Sequence, residues 1–90
     1  MIDNLIEVLD RLFETDFASK DEYGCVTFTE EGNAASALCC EYLIHDGGGC
    51  NWTNINYLRK HGYSVYPGDE DSFGWLVGCI SKNGKVLTFG

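Results

Sequence analysis

The stretch CCEYLIHDGGGC, Cys39 to Cys50, admits two readings, and the choice between them decides the fold. Cys40, His45 and Cys50 are each separated by four residues, which is the second half of a zinc-knuckle spacing. The first half is missing, because Ala37 stands where the leading cysteine belongs and Ile44, not glycine, precedes His45. If a helix runs to His45, Cys40 and His45 lie about 140° apart around its axis and cannot share one tetrahedral ion. The stretch therefore reads as the apolar end of a helix followed by a turn. Cys39 and Cys40 act as small buried hydrophobes, His45 sits at the negative end of the helix dipole, and Gly47, Gly48 and Gly49 reverse the chain. No metal is assigned to Cys40, His45 or Cys50, and no cofactor is expected.

Working outward, NAASALCCEYLIH (33–45) has apolar side chains around nearly its whole circumference, so this helix is expected to be the central, most enclosed one. After the glycines, NWTNINYLRKHG predicts a short helix with Asn51 or Thr53 as N-cap and Gly62 just past its end. At the N-terminus, Ile2, Leu5, Ile6, Val8, Leu9, Leu12, Phe13 and Phe17 recur at helical spacing and predict a helix over 3–17. The segment ASKDEYG breaks that pattern, and CVTFT (25–29) alternates as a short strand. Near the C-terminus YSVY (63–66) and FGWLVGCIS (73–81) read as strands, and the second returns toward KVLTF through Asn83-Gly84, a strong two-residue hairpin signal. That turn pairs Gly78 with Phe89, Cys79 with Thr88, Ile80 with Leu87 and Ser81 with Val86. Phe89 then covers the bare backbone of Gly78.

These elements compose an α+β domain of three helices and a small antiparallel sheet of three to four strands ending in a C-terminal hairpin. Helices 1 and 2 are expected to pack on the sheet, with helix 3 beside it. The order helix, strand, helix, helix, strand, strand is similar to that of winged-helix domains, an analogy of order alone.

Ninety residues suit one compact domain, 1–90, which hides about 60–65% of the extended chain's surface on folding. A hydrophobic content of 44% with a single proline excludes a disordered chain. The acidic N-terminus is unlike a secretory leader and no apolar run approaches bilayer length, so a cytoplasmic, soluble protein without membrane contact is expected. Five cysteines are an odd number and read as free thiols. Net charge is −8 and uneven: residues 1–46 carry 11 acids against Arg11 and Lys20, whereas residues 47–90 carry three acids against Arg59, Lys60, Lys82 and Lys85.

Nucleophilic catalysis requires a base within reach of the nucleophile and a group that orients the base. Cys50 with His61, or with His45, is the best pair available and has no orienting partner, so no enzyme activity is expected. DGGGCNWT has glycines ahead of a helix but lacks the Lys and Ser/Thr of a phosphate-binding loop.

Two surfaces remain. On helix 1, Asp3, Glu7, Asp10 and Glu14 form an acidic row, and Asp69, Glu70 and Asp71 form an acidic loop beside Tyr63, Tyr66 and Trp75. These residues point to non-catalytic binding of another protein with a basic surface. Small phage-type inhibitors of defence nucleases, anti-CRISPR proteins among them, and modulators of nucleic-acid-binding proteins offer such a face. On helix 3, Trp52, Thr53, Asn56, Arg59 and Lys60 project opposite Ile55 and Leu58. With Lys82 and Lys85 at the hairpin tip, Trp52, Asn56, Arg59 and Lys60 would form a winged-helix nucleic-acid-binding face, the alternative. A small metal-stabilised module is a second alternative. Oligomeric state and partner identity are left open by the sequence.

Overall fold

The computed structural model describes residues 2–45, 49–68 and 78–90. Over these residues the chain forms α1 (Ile2–Leu12), β1 (Ala18–Lys20), β2 (Val26–Phe28), α2 (Glu30–Leu43), α3 (Trp52–Lys60), β3 (Ser64–Tyr66), β4 (Gly78–Lys82) and β5 (Lys85–Phe89). The expected α+β class and C-terminal hairpin are present. The described strands make two antiparallel sheets, a β1–β2 hairpin and a β3-β4-β5 meander. Asp69, Glu70, Asp71, Trp75, the start of the strand expected from Phe73, and Gly47 and Gly48 lie outside the described residues.

The β4–β5 hairpin has the register expected from its turn, with Gly78 opposite Phe89, Ile80 opposite Leu87 and Ser81 opposite Val86. Asn83 (φ 55°) and Gly84 (φ 78°) supply the two left-handed residues that such a tight turn demands. A Cβ on Gly78 would lie 2.5 Å from Phe89 Cζ and 2.5 Å from the Tyr66 carbonyl oxygen, so only glycine fits beneath that ring. Side-chain parity puts Ile80, Leu87 and Phe89 on the inner face, where all three are buried.

Parity also puts Lys82 and Lys85 on that inner face, directly opposite each other. They stand at the hairpin tip, as expected, but each ammonium meets a partner within the protein. Lys82 Nζ lies 4.6 Å above the Tyr63 ring. Lys85 Nζ donates to the carbonyls of Phe13 (3.1 Å) and Thr15 (2.9 Å). Each ammonium has its own acceptor, which relieves the repulsion of like charges across the strands.

The Lys85 contacts fall where α1 stops. Helix 1 was expected to reach Phe17, but it ends at Leu12. The Thr15 hydroxyl donates to the Leu12 carbonyl at 2.7 Å, and the Thr15 N–H donates to the same oxygen at 2.9 Å. Phe13 and Phe17 remain buried, with ring centroids 5.0 Å apart. Their spacing continued the helical pattern because both face the core, although the chain between them has left the helix.

ASKDEYG contains β1 and the turn after it, where no strand was expected. Asp21 Oδ1 accepts from the N–H groups of Tyr23 and Cys25, each at 2.9 Å, and folds the chain back so that Lys20 faces Val26. Helix 2 begins three residues earlier than expected and ends two residues earlier. Thr29 Oγ1 accepts from the Gly32 N–H (3.1 Å) as N-cap, and a Cβ on Gly32 would meet Phe28 Cβ at 3.0 Å. At the other end Ile44 forms an antiparallel bridge with Cys50, and the Asn51 N–H donates to the Leu43 carbonyl at 2.8 Å.

α2 is central in its partners, packing on α1, β5, α3 and β2. It is not enclosed all round: Gly32, Ala35, Cys39 and Leu43 form its buried stripe, while Ala34 and Ala37 are exposed. α1 packs on α2, whereas α2 meets β5 and α3 meets β3. α3 starts at its Asn51 N-cap, ends before Gly62 (φ 93°) and buries Ile55 and Leu58, as expected. The buried residues form one cluster that draws on all three helices and on β3, β4 and β5.

The close approach at Gly78 gives a direct test. Gly78→Ala should destabilise the fold by about 1–3 kcal/mol through overpacking against Phe89, measured by urea unfolding. An unchanged midpoint would mean that Phe89 does not lie over Gly78.

Candidate functional site

All ten acids among the described residues are exposed: Asp3, Glu7, Asp10, Glu14, Asp16, Asp21, Glu22, Glu30, Glu31 and Glu41. Against them the described residues make one ion pair, Lys85 with Asp16 at 4.0 Å. A separation that long on a fully solvated carboxylate contributes little.

Within this surface α1 carries Asp3, Glu7 and Asp10 at helical spacing. Glu14 follows the end of the helix, so the expected row of four is a row of three with Glu14 beyond it. Two tyrosines from the other side of the core hold the ends of the row. Tyr57 of α3 donates its hydroxyl to Asp3 Oδ1 at 3.2 Å, and Tyr63, just before β3, donates to Asp10 Oδ1 at 2.5 Å. Glu7, between them, has no hydrogen-bond or ion-pair partner among the described residues.

The tyrosines register this arrangement in their acidity. Burial, then the bond to the Asp10 carboxylate, raises the Tyr63 hydroxyl well above its ordinary value. The bond to Asp3 raises Tyr57. Tyr63 was expected to be an exposed contact residue, and its burial corrects that. It is two residues before Val65, which is also buried, so the alternation Tyr63, Val65 already marked an inward pair. No sequence pattern pointed to the contact between Tyr57 and Asp3, which are 54 residues apart.

The α3 face has the composition expected, with Trp52, Thr53, Asn56, Arg59 and Lys60 all exposed. Its cations are not equally free. Arg59 Nη2 donates to the Val65 carbonyl (2.9 Å), Nη1 reaches Asn56 Oδ1 (3.4 Å), and the guanidinium lies 5.6 Å from the Trp52 ring centroid. Of the four cations in the alternative nucleic-acid-binding set, Arg59, Lys82 and Lys85 thus have partners within the protein. Lys60 has none among the described residues.

Burial, reinforced by neighbouring Cys40, pushes the Cys39 thiol up to about 12. The His61 ring packs on Tyr57 at 4.8 Å between centroids, and Cys50 sits in the bridge to Ile44. Among the described residues no group of three His, Cys, Asp or Glu side chains is placed to hold a metal ion, and no helix is long and apolar enough to cross a membrane. Two of the open grooves of the surface flank the segment that joins α1 to β1. One, of about 460 Å³, runs between α1 and the start of α2 and is lined by Val8, Arg11, Leu12, Asp16 and Glu31 among others. The other, of about 400 Å³, lies between β1 and the turn of the β4–β5 hairpin. Neither lining contains a cysteine or a histidine.

Comparison of the chain with protein-family models, with curated proteins and with solved structures returns no match.

The tyrosine–aspartate contacts carry a pH signature. Tyr63, Tyr57 and Cys39 all have acidities weakened in the fold, so each favours the folded state fully below its unfolded pKa. That contribution is lost as pH rises past about 9–10, where the unfolded chain ionises first. Tyr63→Phe should cost about 1 kcal/mol at neutral pH through loss of the bond to Asp10. It should also make the alkaline fall in stability shallower than in the parent protein. Parallel stability profiles for the two proteins between neutral and alkaline pH would contradict the contact.

Proposed function

We propose that this is a small acidic, non-catalytic binding module whose α1 face engages a basic surface of another protein. The observation that carries the reading is the exposed, almost unpaired state of the carboxylates, with Asp3 and Asp10 oriented by tyrosine hydroxyls. An exposed carboxylate without a cation keeps its full field for a partner, and such a field steers encounter before contact is made. A carboxylate already held by a neutral hydroxyl loses less rotational freedom on binding, yet keeps a second oxygen free to accept from a lysine or arginine. Tyr57, 38% exposed beside Asp3, adds an aromatic contact at the edge of the row.

A chain of this kind acts by occupying a surface on its partner. A basic groove that binds nucleic acid is the natural counterpart, and the module would then be an inhibitor or modulator of a nucleic-acid-binding protein or a defence nuclease, as small phage-type inhibitors are. The opposite reading, in which α3 and the hairpin bind nucleic acid, is supported less well because Arg59, Lys82 and Lys85 already serve the fold.

The test compares two charge-matched variants against the partner captured by the wild-type protein and then purified. Neutralising the α1 row (D3N/E7Q/D10N) should weaken binding by roughly tenfold or more, whereas E22Q/E31Q/E41Q should leave most of the affinity intact. Wild-type association should slow as salt rises. Equal losses in the two variants, or binding insensitive to salt, would refute the α1 face. A duplex mobility shift at low salt that Arg59→Ala/Lys60→Ala abolishes would favour the nucleic-acid reading.

A further inference from the structure

Among the described residues β1 has one edge paired to β2 and no strand on the other. The bonds from Thr29 N–H to the Phe17 carbonyl (3.0 Å) and from Asp21 N–H to the Cys25 carbonyl (3.0 Å) set the phase of the β1–β2 ladder. Odd-numbered residues of β1 therefore bond to β2, and Ala18 and Lys20 turn their N–H and C=O groups outward. All three residues of β1 are exposed, and an open groove of about 400 Å³ separates the strand from Gly84, Lys85 and Val86. The hairpin is not well buried, since every residue of β1 and β2 except Phe28 is exposed, Val26 at 49%. A two-stranded ribbon with an open edge is a template for further pairing.

The outer edges of the other sheet show how this fold closes such openings. The Ser36 hydroxyl of α2 donates to the Thr88 carbonyl of β5 at 2.7 Å, and Arg59 of α3 donates to the Val65 carbonyl of β3. Among the described residues no side-chain hydrogen bond closes the outward groups of Ala18 or Lys20 in this way.

We infer that the β1 edge pairs with the β1 edge of a second copy of this chain, antiparallel about a twofold axis at Ala18, giving a four-stranded sheet β2-β1-β1-β2. The sequence around the edge selects that occupant and that register. Hydrogen-bond phase requires outward residues to face outward residues. Centring on Lys20 sets lysine against lysine. Centring on Ser19 sets Lys20 against Ala18 and leaves it without an opposite charge. Centring on Ala18 sets Lys20 against Asp16 of the second copy, twice by symmetry. Asp16 is fully exposed, with only the 4.0 Å approach of Lys85, and Lys20 has no ion-pair partner among the described residues. Between the two charge pairs the small Ala18 side chains meet, flanked by Phe28 on each side as the cross-strand neighbour of Ala18. The interface has an apolar middle and charged ends, and it leaves the α1 row free.

Sedimentation equilibrium over a range of concentrations tests the pairing. The wild-type protein should show a monomer–dimer equilibrium. Lys20→Glu should weaken it by roughly tenfold or more, because glutamate then faces Asp16. Asp16→Lys should do the same, and mixing these two variants should restore a heterodimer. Ala18→Pro removes an outward N–H that the β1–β2 ladder does not use, and should also give a monomer, with circular dichroism confirming the fold of each variant. A wild-type protein that stays monomeric throughout, a Lys20→Glu variant that dimerises as the wild type does, or well-folded variants that fail to pair when mixed would each overturn the inference.

Discussion

One ammonium group joins the last strand to the end of the first helix. Lys85 Nζ holds the carbonyls of Phe13 and Thr15, residues 72 and 70 positions away along the chain. Those oxygens have no helical partner because α1 stops at Leu12, and near the core an unpaired carbonyl is costly. Lys85 can reach them only if the hairpin register is right. A slip of one residue would turn Lys85 outward together with Leu87 and Phe89, losing the clamp and the inner face at once. The turn at Asn83-Gly84 and the glycine under Phe89 thus set the whole joint, and a local sequence signal controls a long-range contact.

The helices take over what the short meander cannot supply for itself. Three strands of three to five residues leave two open edges, and α2 and α3 each send one polar side chain to an edge carbonyl. Arg59 shows what this does to function: a residue that looks like a ligand-binding cation on a helical wheel is also the group that closes β3. Position on the wheel says which way a side chain leaves the helix. What it meets there depends on the strand that arrives five residues later.

Much of the architecture was legible because its signals are local. Asn83-Gly84, the Gly78 and Phe89 pair, the Asn51 cap and the buried face of α3 each rest on residues close in sequence or fixed in register by one turn. Apolar spacing and buried helix part company at two places. Phe13 and Phe17 face the core after α1 has ended, and Ala34 and Ala37 of α2 are apolar without being buried. β1 was missed because ASK carries no β-branched or aromatic residue. It is a strand because the Asp21 turn returns the chain beside it. The acidic row was legible as spacing, but its anchors were not, since nothing local links Asp3 to Tyr57 or Asp10 to Tyr63. The position of Lys82 and Lys85 was recoverable from the hairpin register itself, by extending the parity of Ile80 and Leu87 one pair toward the turn.

The charges divide by role. Arg59, Lys82 and Lys85 face inward or along strand edges and hold elements together, whereas every described acid faces solvent. Such a division follows from the chemistry of the side chains. Long aliphatic stems let lysine and arginine lie against apolar surface and still deliver a donor to a carbonyl or a ring, while a short carboxylate has no comparable reach and remains hydrated. Half of the six cations are thereby engaged in holding the fold together, and the described acids are left with one long ion pair, Lys85 with Asp16. The repulsion this creates opposes compaction, so the fold must tolerate it. A basic surface brought against α1 would relieve that repulsion. Binding and stability are therefore coupled: a cationic partner should stabilise the folded chain by lowering a strain that the chain's own cations, engaged elsewhere, cannot remove.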